Sequence, residues 1–197
     1  MPGIIQTQVN EEKGYTFSKV LRSLLRQNPN IFLIGEIRDK ETAKLVWQAS
    51  TTGHLVLSTI HTNDALGVLS RLQGLEIPSE ELVPTINTII AQRLVRCLCP
   101  HCRKGIKIPS EINLFIKESL KYFPKYKKPI KIYQARGCAE CNFTGYKGQS
   151  GIFEILIPSS KTEDLKKVEF PRLINSAVIK VLQGTTSWEE IKRVLGV

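Results

Sequence analysis

The 197-residue sequence contains no G-x-x-x-x-G-K-[ST] run, so it has no loop of its own to cradle nucleotide phosphates. No apolar stretch approaches the roughly 18 residues that a helical membrane span requires. The start, Met1–Asn10, is polar and uncharged and is not expected to act as a secretory leader. Internal repeats and low-complexity segments are absent, which excludes solenoid architectures. Basic residues do not alternate with aromatics, so a stacking platform for single-stranded nucleic acid is not expected. Cysteine is scarce, five residues in all, and four of these fall in two C-x-x-C pairs. Without a leader, such pairs favour a reducing compartment and a bound metal over disulfides.

The apolar fraction of 42% is ordinary for a chain with a real core. The length suits one compact domain plus a small satellite. The net charge of +10 is not spread evenly. Between Arg103 and Lys131, eight lysines and one arginine face only Glu111 and Glu118, so seven of the ten charges sit there. This is a local basic lobe rather than a groove-lining pattern. A solvated face is the leading reading, ahead of a contact with acidic headgroups or an acidic partner, and no nucleic acid is expected.

The stretch Ile31–Thr62 organises the chain. Two short apolar runs, Ile31–Ile37 and His54–Ile60, flank a helix-length segment. Such runs suggest buried parallel strands joined by a crossover. In parallel sheets the chemistry collects at the carboxyl ends of the strands. Gly35, Glu36, Arg38, Asp39, Ser58, Thr59 and His61 would gather there. Around the strands, Thr16 is expected to cap a helix with Phe17, Val20, Leu21 and Leu24 on one face, ended by Asn28-Pro29. Asp39 is expected to cap a helix to about Thr52, with Ala43, Val46, Trp47 and Ser50 inward and Gly53 as its stop. Thr62 or Asn63 would cap the next, with Ala65, Val68, Leu69 and Leu72 inward. Glu80–Ile90 has helical spacing, with a late start or kink at Pro84.

Farther on, Gln92–Leu98 reads as extended and leads into Cys99-x-x-Cys102. A second knuckle, Cys138-x-x-Cys141, follows after 35 residues. Two knuckles supply four thiolates in tetrahedral geometry, and closing so long a loop costs little more than closing a short one. Structural zinc is favoured over a redox pair or unliganded thiols, with His101 a bystander and Cys97 a buried small side chain. Ile112, Phe115, Ile116 and Leu120 mark a helix in the insert. Ile130–Tyr133 and Gly151–Ile157 read as strands. Arg172–Leu182 is amphipathic, and Thr186-Ser-Trp-Glu189 reads as a capping box for a last helix.

Four boxes carry a family resemblance. Leu33-Ile-Gly-Glu36-Ile-Arg38-Asp39 resembles the Walker B box of the secretion ATPase superfamily, and Thr52-Gly53-His54 through Asp64-Ala65 resembles its histidine box. Ala91–Arg96 with Cys99-Pro-His-Cys102, and Gly137-Cys138 through Gly145-Tyr-Lys-Gly148, extend the match. The chain is thus similar to type II secretion and type IV pilus assembly ATPases, closely over about residues 3–157. The resemblance implies an α/β fold: the C-terminal half of a RecA-like P-loop NTPase core, with a tetracysteine zinc lobe and C-terminal helices. Three parts are expected: residues 1–96 of the ATPase core, a zinc lobe at 97–150, and a strand-and-helix subdomain at 151–197. The phosphate loop and an acidic box would lie upstream of a segment like Pro2–Val9.

By the same resemblance, Glu36 works near magnesium and the attacking water, and His61 senses the γ-phosphate. Gly35 lets the backbone pass close to the phosphates. Arg38 either pairs with Asp39 or reaches phosphate. Thr59 either contacts phosphate or caps its strand. Arg22 and Arg26 either serve a neighbouring subunit's nucleotide or sit on a helix surface. Arg93 and Arg96 belong to a subunit interface or to the sheet edge. Cys99, Cys102, Cys138 and Cys141 hold structural Zn2+, while Mg2+ and ATP belong to the complete enzyme. That enzyme is expected to be a homo-hexamer, cytoplasmic and peripheral at the inner membrane, engaging a secretion or pilus platform protein. The competing expectation is a catalytically inactive, zinc-stabilised interaction domain.

Overall fold

The structure, a computed structural model, describes residues 4–27, 29–127, 129, 131–158 and 168–197. Asn28, one half of the expected helix stop, and Ile130, the expected first residue of a strand, lie outside the described residues. So do Met1, Pro2 and Gly3. The described chain forms two compact units, one of residues 4–87 with Pro158 and one of residues 88–157 with 168–197.

In the first unit, helix α1 (Phe17–Leu25) begins where Thr16 accepts from the Lys19 backbone N–H, and it buries Val20 and Leu21. Strands β1 (Ile31–Ile34) and β2 (Leu55–Ser58) are parallel, in register from Ile31↔Leu55 to Ile34↔Ser58. Helix α2 (Lys40–Thr51) joins them. Asp39 caps it as expected, one carboxylate oxygen accepting from Thr42 N at 2.8 Å and the other from the Thr42 hydroxyl at 2.9 Å. Gly53, at φ 95°, stops the helix with a backbone conformation that side chains resist. The inward stripe is Thr42, Ala43, Val46 and Ala49; Trp47 and Ser50, expected inward, are only half-buried.

Helix α3 (Ala65–Gly74) is capped by Asp64, not by Thr62 or Asn63. Asp64 accepts from Gly67 N at 2.7 Å, while Thr62 spends its hydroxyl on the Asp64 carbonyl at 3.0 Å. Helix α4 (Ser79–Thr85) carries Pro84 in its last turn. The helix expected through Ile90 therefore stops early. Proline removes one helical hydrogen bond, Ile86 is already extended, and Ile89 and Ile90 belong to a strand instead.

In the second unit, β3 (Ile89–Leu98) pairs antiparallel with β6 (Tyr146–Leu156), from Ile89↔Leu156 to Leu98↔Tyr146 with an irregularity between Arg96 and Leu98. These strands run through the positions where boundaries at 96 and 150 were expected. A second antiparallel pair, β4 (Lys104–Lys107) with β5 (Lys131–Gln134), stands across the insert. Only β5 was expected; β4 has too few apolar residues to signal itself. Helices α5 (Asn113–Tyr122), α6 (Leu173–Leu182) and α7 (Trp188–Leu195) complete the unit. Its core gathers Val95, Ile116, Ile132, Ile152, Val178 and Ile191. The last helix is capped one residue later than expected: Ser187, rather than Thr186, accepts from Glu190 N at 3.2 Å. Thr186 donates to the Arg96 carbonyl at 2.8 Å.

Candidate nucleotide edge and tetracysteine centre

The parallel register sets β1 and β2 side by side, so the residues that follow them emerge at one edge. Beyond the strands the pairing continues, with Ile37 N donating to Thr59 O at 3.0 Å. Thr59 also donates its hydroxyl to the Gly35 carbonyl at 2.6 Å, which ties the two strand ends together. On this frame His61 Nε2 lies 2.9 Å from Glu36 Oε1, and Arg38 Nε donates to Glu36 Oε2 at 2.6 Å. The Glu36 side chain is only 16% exposed, while that of His61 is 87% exposed. The acid is thus sheltered and the imidazole stands open to a ligand. A Cβ at Gly35 would meet nothing within 4 Å, so packing does not demand the glycine and the space beside it is open.

The structure corrects one pairing. Arg38 pairs with Glu36 and not with Asp39, whose carboxylate is spent on capping α2. The Thr42 backbone N–H chiefly holds the Asp39 carboxyl below its ordinary range, against a smaller upward push from burial. A contributor missed in the sequence is Arg71 on α3, which donates to the Arg38 carbonyl at 3.3 Å and tethers the loop that carries Glu36. No local spacing signals that contact. His54 sits at the other end of its strand, with Nδ1 3.1 Å from the Ala49 carbonyl and its ring 5.4 Å from that of Phe32. Arg22 pairs with Glu41 at 2.9 Å on the surface.

In the second unit the four Sγ atoms of Cys99, Cys102, Cys138 and Cys141 all lie within 4.8 Å of one another. The separations Cys99–Cys138, Cys102–Cys141 and Cys138–Cys141 are 3.9, 3.8 and 3.8 Å. Four sulfurs each about 2.3 Å from a tetrahedral zinc stand about 3.8 Å apart, so the donor set fits that ion. Backbone N–H groups already point at the sulfurs: Gly137 N at Cys102, and Cys138 N and Gly145 N at Cys141, at 3.3, 3.3 and 3.2 Å. Burial pushes the Cys141 thiol up, but the donors from Cys138 and Gly145 outweigh it and hold the thiol near 6. Burial raises its neighbour Cys138 to about 11. Gly137, at φ 104°, leaves the turn no choice of residue, because a Cβ there would come within 2.5 Å of the Phe143 carbonyl oxygen.

Arg96, left open between interface and sheet edge, belongs to an ion cluster around the buried carboxylate of Glu190. It donates to Glu190 from its backbone N and from its guanidinium, and Arg193 donates to the same carboxylate. Arg93 Nη1 donates to the neighbouring Gln92 carbonyl at 2.9 Å.

Residues 1–193 match the family described as Type II/IV secretion system protein. The Klebsiella pneumoniae type II secretion system protein E is 41% identical over 207 residues, covering 98% of this chain and 40% of that protein. The type IV pilus assembly ATPase PilB of Pseudomonas aeruginosa is 40% identical over 209 residues, covering 98% of this chain and 36% of that protein. The chain therefore spans about two fifths of the length of the curated relatives it matches. The solved structure of the Legionella pneumophila ATPase DotB superposes with a TM-score of 0.60 at 19% identity, over 95% of this chain and 44% of that one. That likeness is one of fold.

Proposed function

The chain belongs to the type II/IV secretion system protein family, and on that premise we propose that it is part of a hexameric ATPase motor. The motor would hydrolyse ATP to drive type II protein secretion or type IV pilus assembly. The observation that carries this reading is the 2.9 Å contact between Glu36 and His61 at adjacent ends of two parallel strands. Glu36 accepts the proton of the water that attacks the γ-phosphate, and His61 donates a hydrogen bond to that phosphate. Arg38, already within reach of Glu36, is the cation that can turn to a phosphate oxygen. Thr59 and Gly35 hold the strand ends together, and the open space beside Gly35 admits the phosphates. Mg2+, when bound with ATP, supplies charge neutralisation beside Glu36.

The phosphate-cradling loop is supplied by polypeptide outside this sequence. Cys99, Cys102, Cys138 and Cys141 would hold Zn2+, which cross-links the two knuckles and takes no part in hydrolysis. Among the described residues no helix is long and apolar enough to cross a membrane. We propose a cytoplasmic protein that meets an inner-membrane platform partner as a homo-hexamer.

The test is Glu36→Gln in the assembled ATPase. Turnover should fall about 10²–10⁴-fold with nucleotide binding retained. Turnover like that of the unsubstituted enzyme would remove Glu36 from the chemistry. A second reading is a catalytically inactive, zinc-stabilised interaction domain built around the tetracysteine centre. It gains if no nucleotide turnover appears in any assembly that contains this chain.

A further inference from the structure

One turn of the second unit is bonded to both ends of the first cysteine knuckle. Residues 183–187 join α6 to α7, and Gly184 and Thr185 in that stretch present successive carbonyls to the chain around the metal centre. Leu98 N, just before Cys99, donates to the Thr185 carbonyl at 2.8 Å. Arg103 Nη1, just after Cys102, donates to the Gly184 carbonyl at 2.8 Å. The second knuckle is tied to the same frame. The Gly145 carbonyl accepts from Cys99 N at 2.9 Å, and the Tyr146 hydroxyl lies 2.7 Å from Ser187 Oγ. The fit is close: the Arg103 guanidinium stands 4.6 Å from the centroid of the Tyr133 ring, and a Cβ at Gly184 would come within 2.8 Å of that ring and 3.1 Å of Arg103 Nη1. Gly184 also sits at φ 71°, a conformation that side chains resist. Thr186 and Ser187 are fully buried, so the turn is packed into the unit.

We propose that this turn is a clasp on the metal centre, so that zinc occupancy and the seating of helices α6 and α7 depend on each other. The proposal rests on the Zn2+ reading of the four cysteines and adds a consequence for the last two helices. A metal bonded to all four sulfurs fixes the spacing of the two knuckles. Fixing the first knuckle fixes Leu98 and Arg103, which carry the donors that the turn's carbonyls accept. Conversely, a seated turn holds both ends of that knuckle where the sulfurs converge. Groups that brace metal ligands in this way contribute about 10–100-fold to metal affinity. Coupling between two sites is reciprocal, so zinc stabilises the seated turn by the same factor by which the turn tightens zinc. Arg103 and Gly184 are positioning residues, since the four donor atoms of the site belong to the cysteines.

The experiment uses the full chain in a Trp47→Phe background, so that fluorescence reports Trp188, the buried residue that follows Ser187 and opens α7. Metal analysis after Zn2+ addition and desalting comes first; a chain that takes up no Zn2+ defeats the tetracysteine centre and this proposal together. With loaded protein, transfer of Zn2+ to a chromogenic chelator should run at least about tenfold faster in Arg103→Ala and in Gly184→Ala. Arg103 is exposed, so its truncation leaves the core intact, and circular dichroism checks that every variant folds. Val178→Ala, which thins the core on α6 more than a helical turn before the clasp, should leave the transfer rate unchanged. Stripping Zn2+ should move the Trp188 emission to longer wavelength, and adding Zn2+ back should restore it. Transfer at the unsubstituted rate in either Arg103→Ala or Gly184→Ala, equal acceleration by Val178→Ala, or a Trp188 emission indifferent to Zn2+ each overturns the proposal and leaves the metal centre standing.

Discussion

Removing the charge of Glu190 should destabilise the second unit by about 3 kcal/mol at neutral pH. The carboxylate is 1% exposed and accepts five hydrogen bonds from Arg96 and Arg193, at 2.6 to 3.0 Å. Burial pushes its carboxyl up, but the guanidinium and backbone donors outweigh burial and hold it near 2, against an ordinary 4.5. A depression of that size corresponds to about 3 kcal/mol of stability, since each pKa unit is worth about 1.4 kcal/mol. Breaking a buried ion pair by removing one partner costs about 3–5 kcal/mol. The lower end applies here because the Arg96 and Arg193 side chains are 41% and 58% exposed and regain water when Glu190 is neutralised.

The sign follows from the lowered value. The contribution is fully present above pH 4.5, falls as the pH drops toward 2, and is about half gone near pH 3.2. The assay compares Glu190→Gln with the unsubstituted protein in urea, both in a Trp47→Phe background so that fluorescence reports Trp188 alone. Trp188 opens the same helix as Glu190 and is buried. The gap in unfolding free energy should be about 3 kcal/mol at pH 7 and should shrink through acid. A gap below about 0.5 kcal/mol at pH 7, or one that stays constant down to about pH 2.5, would refute the assignment of the lock to this carboxylate.

Metal analysis of protein purified without chelator should find about one zinc per chain, lost in Cys102→Ser together with much of the folding of residues 97–150; metal-free protein would contradict the centre. Gly137→Ala should weaken zinc retention in a chelator competition, because the new methyl meets the Phe143 carbonyl in a left-handed turn that alanine resists; unchanged retention would show that the turn relaxes. Asp39→Ala should cost about 1 kcal/mol by thermal unfolding of the first unit, since it removes the cap of α2. With the Asp39 carboxyl lowered, that difference should be present at neutral pH and lost as the pH falls below the ordinary carboxylate range; a difference that persists in acid would assign the cost to something other than the charged cap.

Much of this protein could be read along the chain because the decisive interactions are local. The Asp39 cap, the Gly53 stop, the strand cores at Ile31–Ile34 and Leu55–Ser58, and the two knuckles each declare themselves within a few residues. Spacing alone grouped Glu36 with His61, because parallel strands deliver their carboxyl ends to one edge. Tertiary structure decided the rest, where local signals were ambiguous or silent. Ile89 and Ile90 suit a helix or a strand equally, and only pairing with Leu156 and Ile155 across the unit selected the strand. No local spacing marks Glu190 as buried; folding alone placed Arg96, 94 residues away, against it. Arg38 could have chosen either of two neighbouring carboxylates; Asp39 was already committed to the backbone of α2, which left Glu36. Long-range contacts of this kind have no period to detect, because they depend on which surfaces the packed core brings together.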